Sequence, residues 1–185
     1  MGTKSSNTSA IANANATGIP WDTWSSQLED AKAGELTHKE IAELAFTRMP
    51  PSLDNPGWWA QSVAVAYEQQ IGRRLPGQAQ DGTFQGSVST TLAADLDTAL
   101  ARWEEQVSGM ETFNGQTLAE PARTSGSERW RYWRASFSDG TKAQVDIGLK
   151  GDKSAIAINI TKAETPDQVS EWKRFWRQIL AEFKQ

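Results

Sequence analysis

Polar and apolar positions alternate most regularly between Thr141 and Ile160. Thr141, Ala143, Val145, Ile147 and Leu149 alternate with Lys142, Gln144, Asp146, Gly148 and Lys150. A period of two marks a strand with one buried face. Ile156, Ile158 and Ile160 alternate with Ala155, Ala157 and Asn159 in the same way. Gly151-Asp152, read as a two-residue turn, pairs Ile147 with Ile156 and Val145 with Ile158. The aliphatic side chains then share one face. A third strand precedes these two, and its turn has two readings. A two-residue turn at Asp139-Gly140 turns Trp130, Tyr132 and Arg134 inward. A three-residue turn with Gly140 left-handed turns Trp133, Ala135 and Phe137 inward. Burying Arg134 unpartnered costs several kcal/mol, which favours the second register.

The pattern then changes period. Val169, Trp172, Phe175, Trp176, Ile179, Leu180 and Phe183 recur at helical spacing after Thr165-Pro166-Asp167, a cap with Pro at an early helical position. Glu171, Lys173, Arg174, Arg177, Gln178 and Glu182 take the other side. Burying each large side chain is worth roughly 1.5–3 kcal/mol, so this helix requires an apolar surface. The nearest is the aliphatic face of the sheet.

The first half reads as helices. Trp21, Trp24 and Leu28 form one stripe within residues 17–34. Thr37 and Glu40 form a capping box ahead of Ile41, Leu44 and Ala45. Asn55-Pro56 opens a third helix that runs to about Gly72. Its opposite side carries Trp58, Gln61, Val65 and Glu68. Either it packs on both sides, once in its bundle and once on a second domain, or these four residues form an interaction surface. Residues 1–16 are small and polar and predict a disordered leader. Residues 76–83, rich in Gly, Pro and polar side chains, predict a linker. Phe84–Thr91 reads as a strand, residues 93–108 as a helix and residues 118–124 as an edge strand ahead of a flexible Ser125-Gly126-Ser127 turn. The expectation is an α+β chain: a three-helix bundle at residues 17–75, then an antiparallel sheet gripping a long final helix at residues 84–185.

Two resemblances follow. Trp21-Asp22-Thr23-Trp24, His38-Lys39-Glu40-Ile41, Gly57-Trp58-Trp59-Ala60-Gln61, Tyr67-Glu68 and Gly72-Arg73-Arg74 resemble, in that order, a small bacterial helical domain of unknown function. That implies a compact bundle and no activity. Gly86-Ser87-Val88-Ser89, Phe137-Ser138-Asp139-Gly140-Thr141 and Glu171-Trp172-Lys173-Arg174-Phe175-Trp176 resemble a shortened START-like, polyketide-cyclase-like domain with a helix-grip fold. In that superfamily the sheet curls around the last helix and encloses an apolar cavity. Here Trp133, Phe137, Val145, Ile147, Ile156, Ile158 and the helix residues Trp172, Trp176 and Ile179 either line such a cavity, as the resemblance implies, or fill the core.

Composition narrows the chemistry. The chain has 185 residues, no Cys, one His and a net charge of −4. Disulfide and thiolate chemistry are excluded, and neither a metal nor another cofactor is expected. His38 has no second His or Cys to work with, Asp139 reads as a turn residue, and Glu104-Glu105 lies on a solvated helix face. No catalytic constellation is visible, so an enzyme is not expected. Arg129, Arg131 and Arg134 interleave with Trp130, Tyr132 and Trp133, but a strand with one wet face accounts for that pattern. With no basic excess in either half, no nucleic-acid partner is expected. The segment between the second and third helices is also too long for a helix-turn-helix. No apolar run reaches membrane-spanning length and no signal-peptide core opens the chain, so a cytoplasmic location off the membrane is expected. The functional expectation is a binder of a small apolar ligand. The alternative is a protein-interaction or self-association module using the third helix or the outer sheet face.

Overall fold

The computed structural model describes residues 8–183. Its contacts divide the chain after Pro76 into two compact units.

The first unit is helical: α1 Thr8–Thr17, α2 Trp21–Asp30, α3 His38–Phe46 and α4 Pro56–Gln70, with a short 3₁₀ turn at Ala33–Glu35. Its core joins Trp24, Leu28, Ile41, Ala45, Val63, Ala64 and Tyr67. The three helices read from the sequence are α2, α3 and α4. The capping box forms, with the Glu40 backbone N–H donating to Thr37 Oγ1 at 3.3 Å and the Thr37 N–H to Glu40 Oε2 at 2.8 Å. The leader expectation is corrected. Residues 1–7 lie outside the described residues, but α1 is a helix with Ala10 and Asn13 buried. Alanine is the strongest helix former, and small side chains let α1 lie close to α4. Thr17 secures the join. Its hydroxyl donates to the Asn13 carbonyl at 2.7 Å and accepts from Trp24 Nε1 at 3.1 Å.

The second unit is a five-stranded antiparallel sheet with two helices on one face. Its elements are β1 Phe84–Leu92, α5 Leu96–Ser108, β2 Arg123–Gly126, β3 Trp130–Ser136, β4 Lys142–Lys150, β5 Lys153–Ala163 and α6 Pro166–Phe183. The strand order is β1-β5-β4-β3-β2. The expected linker is corrected in part. Residues 77–83 fold back on this unit through Gln85 N–H to the Gly77 carbonyl, 2.8 Å, and a Lys162–Asp81 ion pair.

The β4–β5 hairpin turns at Gly151-Asp152 and pairs Ile147 with Ile156 and Val145 with Ile158, as its alternation predicts. The β3–β4 hairpin takes the three-residue turn: Phe137 N–H donates to the Thr141 carbonyl at 2.9 Å, and Gly140 has φ +82°. Trp133, Ala135 and Phe137 therefore face the core, and Arg134 faces out. Two details differ from the sequence pattern. Leu149, expected on the apolar face, is 62% exposed because it lies at the end of β4, opposite Ser154. The edge strand begins at Arg123, later than expected. Pro121 has no N–H to give a ladder, and Leu118 keeps only an isolated bridge to Phe137.

Helix α6 closes the core. Val169, Trp172, Trp176, Ile179, Leu180 and Phe183 are buried, and Phe175 is half-buried. Gly86 sets how near the helix comes to β1: a Cβ there would stand 2.7 Å from Val169 Cγ1.

Candidate functional site

Three places bring chemistry-bearing side chains together.

The first is the interior beneath α6. All nine residues expected to line a cavity are buried there, and they belong to one cluster with α5. Phe137 and Trp172 have ring centroids 4.4 Å apart, Trp172 and Trp176 5.9 Å, and Trp103 and Trp176 5.8 Å. The rings thus pack largely on one another. Trp103 on α5 completes this set. Its apolar stripe was legible, but its meeting with α6 depends on tertiary packing. The indole N–H groups fare unequally. Trp172 Nε1 donates to Asp139 Oδ2 at 3.3 Å, which also accepts from Gln168 Nε2 at 2.9 Å. Oδ1 of Asp139 accepts the Thr141 N–H at 2.9 Å. The turn residue Asp139 is therefore also a clasp between hairpin and helix. Trp103 Nε1 and Trp176 Nε1 are buried and have no acceptor among the described residues.

The second place is the outer face of the sheet, away from both helices. Cross-strand pairing sets it out in rows: Arg123, Arg134, Gln144, Asn159 and Ser87, then Ser125, Tyr132, Asp146, Ala157 and Ser89. Trp130 pairs with Gly148 and lies across it, where a Cβ would strike the indole ring. Trp130 is 44% exposed. Tyr132 lies nearly parallel to it, 17° between planes, and the Arg134 guanidinium sits 4.7 Å over the Tyr132 ring. Arg134 is held further by Gln144 Oε1 and Ser125 Oγ, each at 2.8 Å. Asp146 accepts from Gln144 and Asn159, both at 2.7 Å. The alternation also puts Lys142, Lys150 and Lys153 on this face. In a chain of net charge −4 the described strands put five cations on this face, Arg123, Arg134, Lys142, Lys150 and Lys153, against the strand carboxylate Asp146 and, at the edge, Glu120 paired to Arg123. The residues were readable as a wet face, but its sign was hidden in an acidic average.

The third place is in the helical unit. Of the four α4 residues expected to form a surface, Trp58 and Gln61 are exposed and Val65 is half-buried, but Glu68 is buried. Glu68 is removed from the surface set because it is an ion-pair centre. Its carboxylate lies 2.7 Å from Arg73 Nη2, 3.3 Å from Arg74 Nε and 3.0 Å from His38 Nδ1. His38 Nε2 lies 2.7 Å from Gln61 Oε1. Burial pushes the Glu68 carboxyl up, but the hydrogen bonds from Arg73 and His38 and the charges of His38 and Arg74 hold it below the usual range. Arg73 also donates to the Leu36 carbonyl at 2.7 Å. The His38, Gln61, Glu68 and Arg73-Arg74 motif residues therefore fasten α3 to α4. His38 is a strut in this network. Trp58, 63% exposed, stands edge-on to Trp59.

No protein-family model matches the chain, and no curated protein matches it. The described fold is α+β, a helical bundle followed by an antiparallel sheet with a long C-terminal helix packed against it. No described helix is long and apolar enough to cross a membrane.

Proposed function

We propose that residues 77–185 form a non-enzymatic binding module that docks an acidic polypeptide segment across the outer face of the sheet. One observation carries this reading: the Trp130–Tyr132–Arg134 ladder is exposed or half-exposed, yet fixed in place by Gly148, Gln144 and Ser125. Pre-ordered side chains lose little conformational freedom on binding. The cationic excess of the face calls for an anionic partner, through complementarity and steering. A protein segment fits better than a nucleic acid. Arg134 already covers one face of Tyr132, which reduces the ring's use as a base-stacking platform. Fluorescence anisotropy with a labelled, capped polyglutamate peptide tests the reading. The expected result is saturable binding that weakens with salt and is lost in the double variant Trp130→Ala, Arg134→Gln. Equal binding by that variant contradicts it, and binding of single-stranded DNA in preference to the peptide replaces it.

A second reading keeps the helix-grip kinship and a small apolar ligand beneath α6. It is favoured by the unpaired Nε1 groups of Trp103 and Trp176. Buried donors without partners are costly, and a ligand carrying one oxygen acceptor would relieve them. Entry requires the packed rings to part. Raised thermal stability with a medium-chain ketone, absent with the matching alkane, is the expected sign. No difference between the two contradicts it.

A further inference from the structure

Beside the ladder, the outer face opens into a groove of about 270 Å³ between the β3–β4 rows and the segment leading into β2. We propose that this groove holds a carboxylate. The inference deepens the docking reading and relies on it only for the source of the carboxylate, a side chain or chain end of the acidic segment. The groove also has the room to take a free carboxylic acid.

Three cations line it: Arg123, Arg134 and Lys142. They are not equally available. Arg123 Nη2 is paired with Glu120 Oε2 at 2.6 Å. Lys142 has no ion pair among the described residues. Arg134 is the key group. Its Nε donates to Gln144 and its Nη1 to Ser125, which fixes the guanidinium plane over Tyr132. Its Nη2 makes no hydrogen bond among the described residues. Nη1 keeps a second N–H, so the Nη1–Nη2 edge is the pair of parallel donors left for a carboxylate, its plane set in advance by Gln144, Ser125 and Tyr132. Ser136 and Thr161 add hydroxyls to the lining.

Glu120 is part of the lining and offsets Arg123, leaving two uncommitted cations. A dianionic phosphate would meet that carboxylate as well as the cations.

Titration of the full chain with sodium propionate at constant ionic strength tests the proposal, read from Arg Nε and backbone amide resonances. The expected result is saturable shifts at Arg134, Ser136 and Lys142. Arg134→Gln should weaken binding about tenfold, the loss of a charge-assisted fork. Arg134→Lys keeps the charge and should lose the preference for propionate over chloride. Equal shifts with chloride overturn the proposal, and so does tighter binding of inorganic phosphate. The two readings separate cleanly. Polyglutamate failing to bind while propionate saturates contradicts the docking reading and leaves the groove standing. Polyglutamate binding without propionate contradicts the groove alone.

Discussion

Trp130 packs its six-membered ring against Gly148 of the neighbouring strand, in a space that only a residue without a side chain leaves open. Glycine in a strand interior is normally a weakness, since it orders backbone and packs nothing. Here it lets an indole lie on the sheet and join the Tyr132–Arg134 ladder. Gly148→Ala should displace the ring and weaken polyglutamate binding, while the fold, read by far-UV circular dichroism, is retained. Unchanged affinity would separate Trp130 from the binding face.

Asp139 carries more than its turn. Asp139→Asn keeps the turn chemistry and removes the charge that accepts from both Gln168 and Trp172. Hydrogen bonds to a charged acceptor are worth about 1.5–3 kcal/mol each. Urea unfolding should therefore show a loss of about 1–3 kcal/mol for this substitution. Asp139→Ala should lose more, because the bond to the Thr141 N–H goes too.

The tryptophans beneath α6 give a paired comparison. Trp172→Phe and Trp176→Phe remove similar ring volume from fully buried sites. Only Trp172 has a partner for its N–H. Trp172→Phe should be the more damaging, because it orphans part of Asp139. Trp176→Phe deletes a donor that has no acceptor. Denaturant midpoints reversing that order would show that Trp176 Nε1 is satisfied in solution.

Glu68 ties helical-unit stability to pH. Its carboxyl is held below the ordinary range in the folded chain. A depressed carboxyl stabilises fully above its unfolded value, about 4.3. The contribution fades as pH falls through the lower folded value. Glu68→Gln should cost about 2–4 kcal/mol at neutral pH, since it leaves Arg73 and Arg74 without their buried partner. The gap between wild type and variant should close in acid. A gap independent of pH would assign the loss to packing.

Much of the second unit was legible because strand period, turn chemistry and burial agree there. Arg134 settled the β3–β4 register, and Gly151-Asp152 settled the next. Both arguments are local. The helix α1 was not legible: it has too few apolar residues to show a stripe, and its stability comes from contact with α4. Glu68 misled for a related reason. On a helical wheel it shares a side with Trp58 and Gln61, but its partners Arg73 and His38 come from other segments. The outer-face site was hidden differently. Arg123, Arg134 and Lys142 lie on three strands, and only the pairing of β2, β3 and β4 puts them together.

The most direct measurement is an amide shift map of the full chain as polyglutamate is added. The account predicts perturbations in the rows of Trp130, Tyr132, Arg134, Gln144 and Asn159, with the buried side of α6 unmoved. Perturbations centred on Trp103, Trp172 and Trp176, with the outer rows silent, would contradict it.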